Sequence, residues 1–416
     1  MKAVILAAGR AERLLPFTET RAKPMIRVAG RTILEYMAES LRAAGIKDLL
    51  VVVNHCREGI QNYFEHGAHL GLNIEYILQD PIDGIGAGLV RCRSALEGSP
   101  FIMMYGDVLA TGQPFSAVLQ QRDEISRGNG DGENLAVAAL ALPPSSSEFG
   151  NVYLDNDMRI TRLVEKPSDP NLSNYVFAGV YLLQPSVFSV LDACGNNMEQ
   201  AFQSMISEGR FFGAQWDGGW IDVRRPWQIL EANRMVMDQW EQAEIHATAK
   251  LEGNVHLEGP VHIGANVTIG TGSVLKGPCV VGAGSYIGNN TLIRAYSALG
   301  PQSVIGYGTE LKNCVLFGRS TLGRLSFIGD SVIGEGVQLG SGVTTVNHLL
   351  DGSSVSMGTP EGVVSTGKKK VGAFIGDGVV IGARHVLAPG TRIKAGHRED
   401  DRITLHSVME PDHDIA

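Results

Sequence analysis

Val261-His262-Ile263-Gly264-Ala265-Asn266-Val267-Thr268-Ile269-Gly270 opens a pattern with a period of six. Apolar residues recur at Ile263, Ile269, Leu275, Val281, Ile287, Ile293, Leu299, Ile305, Leu311 and Phe317, and glycine follows directly at Gly264, Gly270, Gly288 and Gly306. The phase slips by one at Leu322-Gly323, slips again at Ile333-Gly334 and resumes at Leu339-Gly340. After an interruption it returns as Ile375, Ile381, Leu387 and Ile393. A strand this short cannot bury its apolar side alone, but stacked coils bury it against one another, so the repeat predicts a parallel β-helix. By itself such an element is a scaffold and a surface for subunit association.

Outward from the repeat, the composition changes. Of the 51 glycines, 22 fall in residues 1–250 and 29 in residues 251–416. The first part alternates short apolar runs with helical periodicity. Residues 4–7, 49–53, 101–105 and 135–142 read as buried strands, and residues 33–44 as a helix that stops at Gly45. That alternation implies βαβ units around a mainly parallel sheet, an α/β fold with Rossmann-like character. Ligands of such sheets sit beyond the carboxyl ends of the strands, which directs attention to the loops after Ala7 and Tyr105.

Several functions are excluded. A net charge of −9 without a long basic block argues against nucleic-acid binding. No run of about 18 uncharged apolar residues is present to span a membrane. The five cysteines are scattered, with no zinc spacing, which points to a reducing, cytoplasmic setting. Residues 362–369 nearly spell a phosphate-binding P-loop, but Lys369 stands where Ser or Thr should bind Mg²⁺ and no helix pattern follows.

The first chemical motif is Leu6-Ala7-Ala8-Gly9-Arg10-Ala11-Glu12-Arg13-Leu14-Leu15-Pro16-Phe17-Thr18, followed by Arg21-Ala22-Lys23-Pro24-Met25. A glycine turn after a first strand lets backbone N–H groups approach phosphates, and Arg13 and Lys23 can flank a triphosphate. This segment resembles the L-x-G-G-x-G-T-R-L-x-P-L-T…P-K-P pattern of sugar-1-phosphate nucleotidylyltransferases. Ala11, Glu12 and Ala22 depart from it. The likeness covers about residues 1–235 and, with the hexapeptide repeat behind it, is closest to the archaeal-type bifunctional nucleotidylyltransferase/amino-sugar acetyltransferases.

The resemblance implies the rest. Residues 1–235 form the nucleotidylyltransferase domain, 236–250 a linker helix, 251–398 a left-handed β-helix and 399–416 a tail. The nucleotide lies against Leu6, Ala8 and Gly9, with Gln79 and Gly84 of Gln79-Asp80-Pro81-Ile82-Asp83-Gly84 reading a uracil or thymine base. Asp107, in Tyr105-Gly106-Asp107, and Asp222, in Trp220-Ile221-Asp222-Val223, hold Mg²⁺, although Arg224 takes the place of the family's glycine. Gly150, Glu165, Lys166 and Gly179 bind the sugar phosphate, and Arg13 and Lys23 are catalytic. The substrates are an NTP and a sugar-1-phosphate, and the assembly is a homotrimer or a dimer of trimers. Every matched position precedes residue 240, so a chain cut there is expected to keep its nucleotide pocket.

Two alternatives accompany this reading: a second, acetyl-transferring site, or a catalytically inactive regulatory subunit. Retention of Arg13, Lys23, Asp107, Lys166 and Asp222 together argues against the inactive subunit. For acetyl transfer, the family's H-L-x-Y-x-G-D string appears here as Arg324-Leu325-Ser326-Phe327-Ile328-Gly329-Asp330. An arginine cannot act as a base at neutral pH, so acetylation is expected to be absent or very weak unless His348 or His385 replaces it.

Overall fold

The structure, a computed structural model, describes residues 1–112, 114–129, 135–142, 149–164 and 175–400. Two compact units emerge. The first contains Met1–Glu12, Arg21–Ile26 and Arg31–Arg224; the second contains Arg13–Thr20, Arg27–Gly30 and Arg225–Ala416. No described helix is long and apolar enough to cross a membrane.

The first unit is built on a nine-stranded sheet. Lys2–Leu6 lies at its centre, parallel to Asp48–Val53 on one side and Phe101–Tyr105 on the other. Asn73–Leu78 extends the parallel part, while Tyr175–Leu183 runs antiparallel to Phe101–Tyr105 and to Ala136–Ala141. The sheet is therefore mixed, parallel around the first strand and again where Phe211–Gln215 pairs with Ala136–Ala141. The apolar run 49–53 is fully buried, as a strand covered on both faces should be. The helix Ile33–Ala43 starts at a capping box in which Thr32 accepts from the Glu35 N–H and Glu35 accepts from the Thr32 N–H. Such a cap contributes about 1 kcal/mol. Leu34, Met37, Ala38 and Leu41 recur at helical spacing and are buried.

The second unit carries three parallel ladders of eight, eight and seven strands. Val281 pairs with Leu299, and Leu299 with Leu316, so each ladder stacks one coil directly on the next. The stacked apolar residues are nearly all buried, each worth roughly 1.5–3 kcal/mol relative to exposure. Two sequence expectations need correction here. The helix near the junction is Gln228–Met237, and no helix spans 236–250; the strands Glu244–Ile245 and Lys250–Leu251 already belong to the β-helix. Ile245, Leu251 and Leu257 continue the period of six backward from Ile263, but no glycine follows them to announce it. Second, Leu316, not Phe317, occupies the inward ladder position, because the turn around Asn313 is one residue shorter.

Phe317 serves elsewhere. Its ring meets Phe17 edge-on at 5.2 Å, within the second unit. Thr20 donates to Asp377 at 2.6 Å, and Glu19 accepts from the Ala395 N–H at 2.7 Å. The segment Arg13–Thr20 is thus packed on coil residues that a cut at residue 240 would remove. A cut expected from the sequence to spare the nucleotide pocket would therefore remove these contacts.

Candidate active site

Strand pairing assembles the charged cluster of the first unit. Phe101–Tyr105 ends beside Leu6, where the Gly106 N–H donates to the Leu6 carbonyl at 2.9 Å. Glycine is required there, since a Cβ would come within 2.8 Å of that carbonyl oxygen. The chain then turns through Asp107 into Val108–Ala110, which pairs antiparallel with Trp220–Asp222 in the register that sets Asp222 against Val108. This two-stranded ribbon makes neighbours of two carboxylates far apart in sequence.

Lys23 completes the cluster from the 3₁₀ turn Lys23–Met25. Its Nζ donates to Asp107 Oδ2 at 2.8 Å and to Asp222 Oδ1 at 3.3 Å. Lys23 and Asp222 are both about nine-tenths buried. Burial pushes the Asp222 carboxyl above its ordinary range, and Asp107 adds to that, while Lys23 and Arg224 oppose it. Asp107 Oδ1 is buried with no partner among the described residues. A buried carboxylate oxygen left bare costs free energy unless something cationic meets it, so the pair has the donor chemistry a hard divalent cation needs.

Arg224 was not assigned a role from sequence. In the glycine's place it donates through Nε to Asp222 Oδ2, and its guanidinium lies 4.6 Å from the Phe149 ring centroid. Phe149 meets Trp220 edge-on at 5.1 Å, and the Trp220 indole N–H donates to the Ala178 carbonyl at 3.0 Å. That chain of contacts fixes the approach to Gly179, which has φ +77° and no room for a Cβ beside Val108 and Tyr105. Gly150 directly precedes the strand Asn151–Leu154. Glu165 and Lys166 lie outside the described residues.

A second cluster surrounds Gln79. Its Nε2 donates to Asp83 Oδ1 at 3.0 Å and to the Gly84 carbonyl at 2.8 Å, so both amide protons are committed. Arg91 grips both oxygens of Asp83 at 2.9 Å. Those hydrogen bonds, first from Arg91 and then from Gln79, lower the Asp83 carboxyl to about 2. Asp83 and Arg91 were missed from sequence; an Asp preceding the glycine gave the only signal.

In the loop after Leu6, Gly9 has open space around it, and Ala11 holds φ +50°, the left-handed region that favours glycine. Arg13 belongs to the second unit, where its Nε donates to Glu361 Oε1 at 2.6 Å.

Comparison with known proteins now decides the family. The nucleotidyl transferase family profile matches residues 2–239. The chain belongs to the nucleotidyl transferase family. A bacterial transferase hexapeptide profile matches residues 242–277, and one for the GMPPB C-terminal domain matches 275–366. The bifunctional sugar-1-phosphate nucleotidylyltransferase/acetyltransferase of Sulfurisphaera tokodaii is 32% identical over 402 residues, covering 95% of this chain and 94% of its own. The bifunctional protein GlmU of Methanococcus maripaludis is 32% identical over 409 residues, covering 94% and 92%. A crystal structure of a glucose-1-phosphate thymidylyltransferase from Bacillus anthracis shares the fold of the first part, with TM-score 0.51 and 21% identity over 56% of this chain and 94% of that one.

The segments matched to an acetyl site lie in the β-helix. Arg324 is exposed. Asp330 is buried and accepts from Asn313 at 2.7 Å and Asn347 at 2.6 Å, with Lys312 at 3.3 Å. His348 is exposed and within 3.3 Å of Asn347 Oδ1, whereas His385 is buried. Lys368 pairs with Glu231 at 2.8 Å.

Proposed function

We propose that the chain transfers a nucleotidyl group from UTP or dTTP to a sugar-1-phosphate, releasing pyrophosphate. The observation that carries this reading is the cluster of buried Lys23 and Asp222 with the partly exposed Asp107 at the carboxyl edge of the central strands. A sugar-phosphate oxygen attacks the α-phosphorus in line, and both attacking and leaving groups are already anions. Repulsion among those charges is the main barrier, so positioned cations and not proton transfer supply most of the catalysis. Mg²⁺, when bound, reduces that repulsion, and Asp107 and Asp222 would hold it. Lys23 then moves from the carboxylates toward the α-phosphate oxygens, Arg13 takes the departing pyrophosphate, and Lys166 and Glu165 receive the sugar phosphate and sugar hydroxyls.

Base choice follows from Gln79. With its N–H groups held by Asp83 and Gly84, the side chain offers an acceptor, Oε1, which suits the N3–H of uracil or thymine and opposes the N3 lone pair of cytosine. The β-helix is proposed to assemble the chain as a homotrimer or a dimer of trimers. Acetyl transfer, named for the Sulfurisphaera tokodaii relative, is the second reading; Arg324 cannot serve as its base.

One assay series tests both. Pyrophosphate release across UTP, dTTP, CTP, GTP and ATP with a panel of sugar-1-phosphates should favour UTP or dTTP over CTP by about tenfold or more. Thiol release from acetyl-CoA with glucosamine-1-phosphate should run at least about a hundredfold slower. Absence of pyrophosphate release with every pair would sink the main reading. Robust thiol release abolished by His348→Ala would show that the acetyl base has moved to His348.

A further inference from the structure

The hairpin inserted in the β-helix interruption, Ser356–Thr359 with Gly362–Ser365, carries one acid at its tip, Glu361. Each of its oxygens meets a different arginine of the second unit: Arg13 Nε at 2.6 Å on Oε1 and Arg225 Nη2 at 2.7 Å on Oε2. The two guanidinium groups converge on one small anion. Arg225 is only 20% exposed at its side chain, and its Nη1 is buried without a partner among the described residues. One carboxylate therefore leaves a donor of this site unused. The hydrogen bonds from Arg13, then Arg225, hold the Glu361 carboxyl below its ordinary range, so it is anionic at neutral pH.

A carboxylate with two oxygens satisfies two donors, whereas a phosphate presents three or more acceptors and a larger charge. The Glu361 side chain is 43% exposed, and exposed ion pairs are weak, so a polyanion displaces it without a large opposing cost of burial. Arg224 takes the glycine's place in the family's W-x-D-x-G pattern, and Arg225 follows it at a position that pattern does not specify, so the second cation of this grip is not part of the pattern.

We propose that Arg13 and Arg225 form a polyphosphate clamp in which the Glu361 carboxylate is a resident stand-in for a phosphate group, displaced when pyrophosphate or the terminal phosphates of a nucleotide bind. The clamp rests on the nucleotidyl-transfer reading only for the identity of its ligand. It makes Arg225 a binding residue and the hairpin tip a competitor for the same site.

Calorimetric titration of the full-length chain with inorganic pyrophosphate, in the presence of Mg²⁺, tests it. Glu361→Gln keeps the shape and removes the competing charge, so pyrophosphate should bind about threefold or more tightly. Arg225→Ala should weaken binding about tenfold or more, with Arg225→Lys intermediate because it keeps charge and loses the planar fork. The double variant Arg225→Ala with Glu361→Gln should bind more tightly than Arg225→Ala alone, because Arg13 is freed, and more weakly than Glu361→Gln alone. A parallel titration with UTP separates the sources: the same shifts place the nucleotide's terminal phosphates in the clamp, and shifts with pyrophosphate alone assign it to the leaving group. Unchanged or weaker pyrophosphate binding by Glu361→Gln, in a variant with wild-type thermal stability, would overturn the proposal and leave the contact as a structural tether. The two readings fail separately. Tighter pyrophosphate binding without any NDP-sugar formation keeps the clamp and removes the reaction, while normal turnover with unshifted pyrophosphate affinity does the reverse.

Discussion

Leu299 and Lys23 are both buried, yet they find their partners by different means. Leu299 stacks between Val281 and Leu316, one coil before and one coil after. Lys23 reaches Asp107 and Asp222, 84 and 199 residues away. The β-helix is a one-dimensional stack in which local spacing fixes the neighbours. The charged cluster exists only because a sheet and a two-stranded ribbon bring three distant segments together. What the difference teaches is where sequence reading has purchase: periodicity reports stacking, but no periodicity reports a site assembled from the ends of strands.

The largest expected effect removes one member of the assembled cluster. Asp107→Asn should lower pyrophosphate release about a hundredfold or more, equivalent to about 2.7 kcal/mol of barrier, with thermal stability close to wild type because the side chain is about one-third exposed. Asp222→Asn should cost at least as much activity and also lower the melting temperature. Its carboxylate faces both Lys23 and Arg224, and breaking a buried pair on one side leaves an uncompensated charge. Near wild-type turnover in Asp107→Asn would detach that residue from the reaction and leave only a structural cluster.

The comparison itself can be broken by separating the two kinds of region. A chain ended near residue 240 retains Lys23, Asp107 and Asp222. It loses Phe317, Asp377 and Ala395, against which Phe17, Thr20 and Glu19 of the Arg13–Thr20 segment are held. Nucleotide affinity should fall by about tenfold or more through disorder in that segment, because ordering it on binding costs free energy the full chain has already spent. Wild-type UTP affinity in the truncated chain, measured by titration, would show that the nucleotide loop folds without the coils.

Much of the architecture was legible. The ladder from Ile263 to Leu311 follows directly from the period, and the buried run 49–53 from its unbroken apolarity. The start of the first coil escaped notice because Ile245, exposed at the open end of the stack, lacks the following glycine. Phe317 was misplaced because one short turn leaves two adjacent apolar residues, and spacing alone cannot tell which of them faces inward. In the site, Lys23, Asp107 and Asp222 were reached through family resemblance, whereas Arg224, Arg225, Asp83 and Arg91 were not. Their roles depend on partners, Phe149 and Glu361 among them, that no local pattern pairs with them. Gln79 was singled out through the resemblance, but the commitment of its amide protons to Asp83 and Gly84 needed three dimensions.

The smallest effect sharpens the one place where a departure from the family pattern has a visible backbone consequence. Ala11 stands where the pattern has glycine, and it retains the left-handed φ of +50° that glycine would adopt freely. For an L-residue that conformation costs roughly 1–2 kcal/mol, set against the roughly 0.5–1 kcal/mol of extra unfolded-chain entropy that a glycine brings. Ala11→Gly should therefore be mildly stabilising, by about 1 kcal/mol or less, and raise the melting temperature by about one or two degrees. The same change removes a Cβ from the loop that the resemblance places against phosphates, so KM for the nucleotide should fall while kcat stays within about twofold. A lower melting temperature would mean that the Ala11 methyl packs usefully and that the strain is compensated locally. A risen melting temperature with unchanged KM would confine Ala11 to the folding of the loop and remove residue 11 from the nucleotide's surroundings.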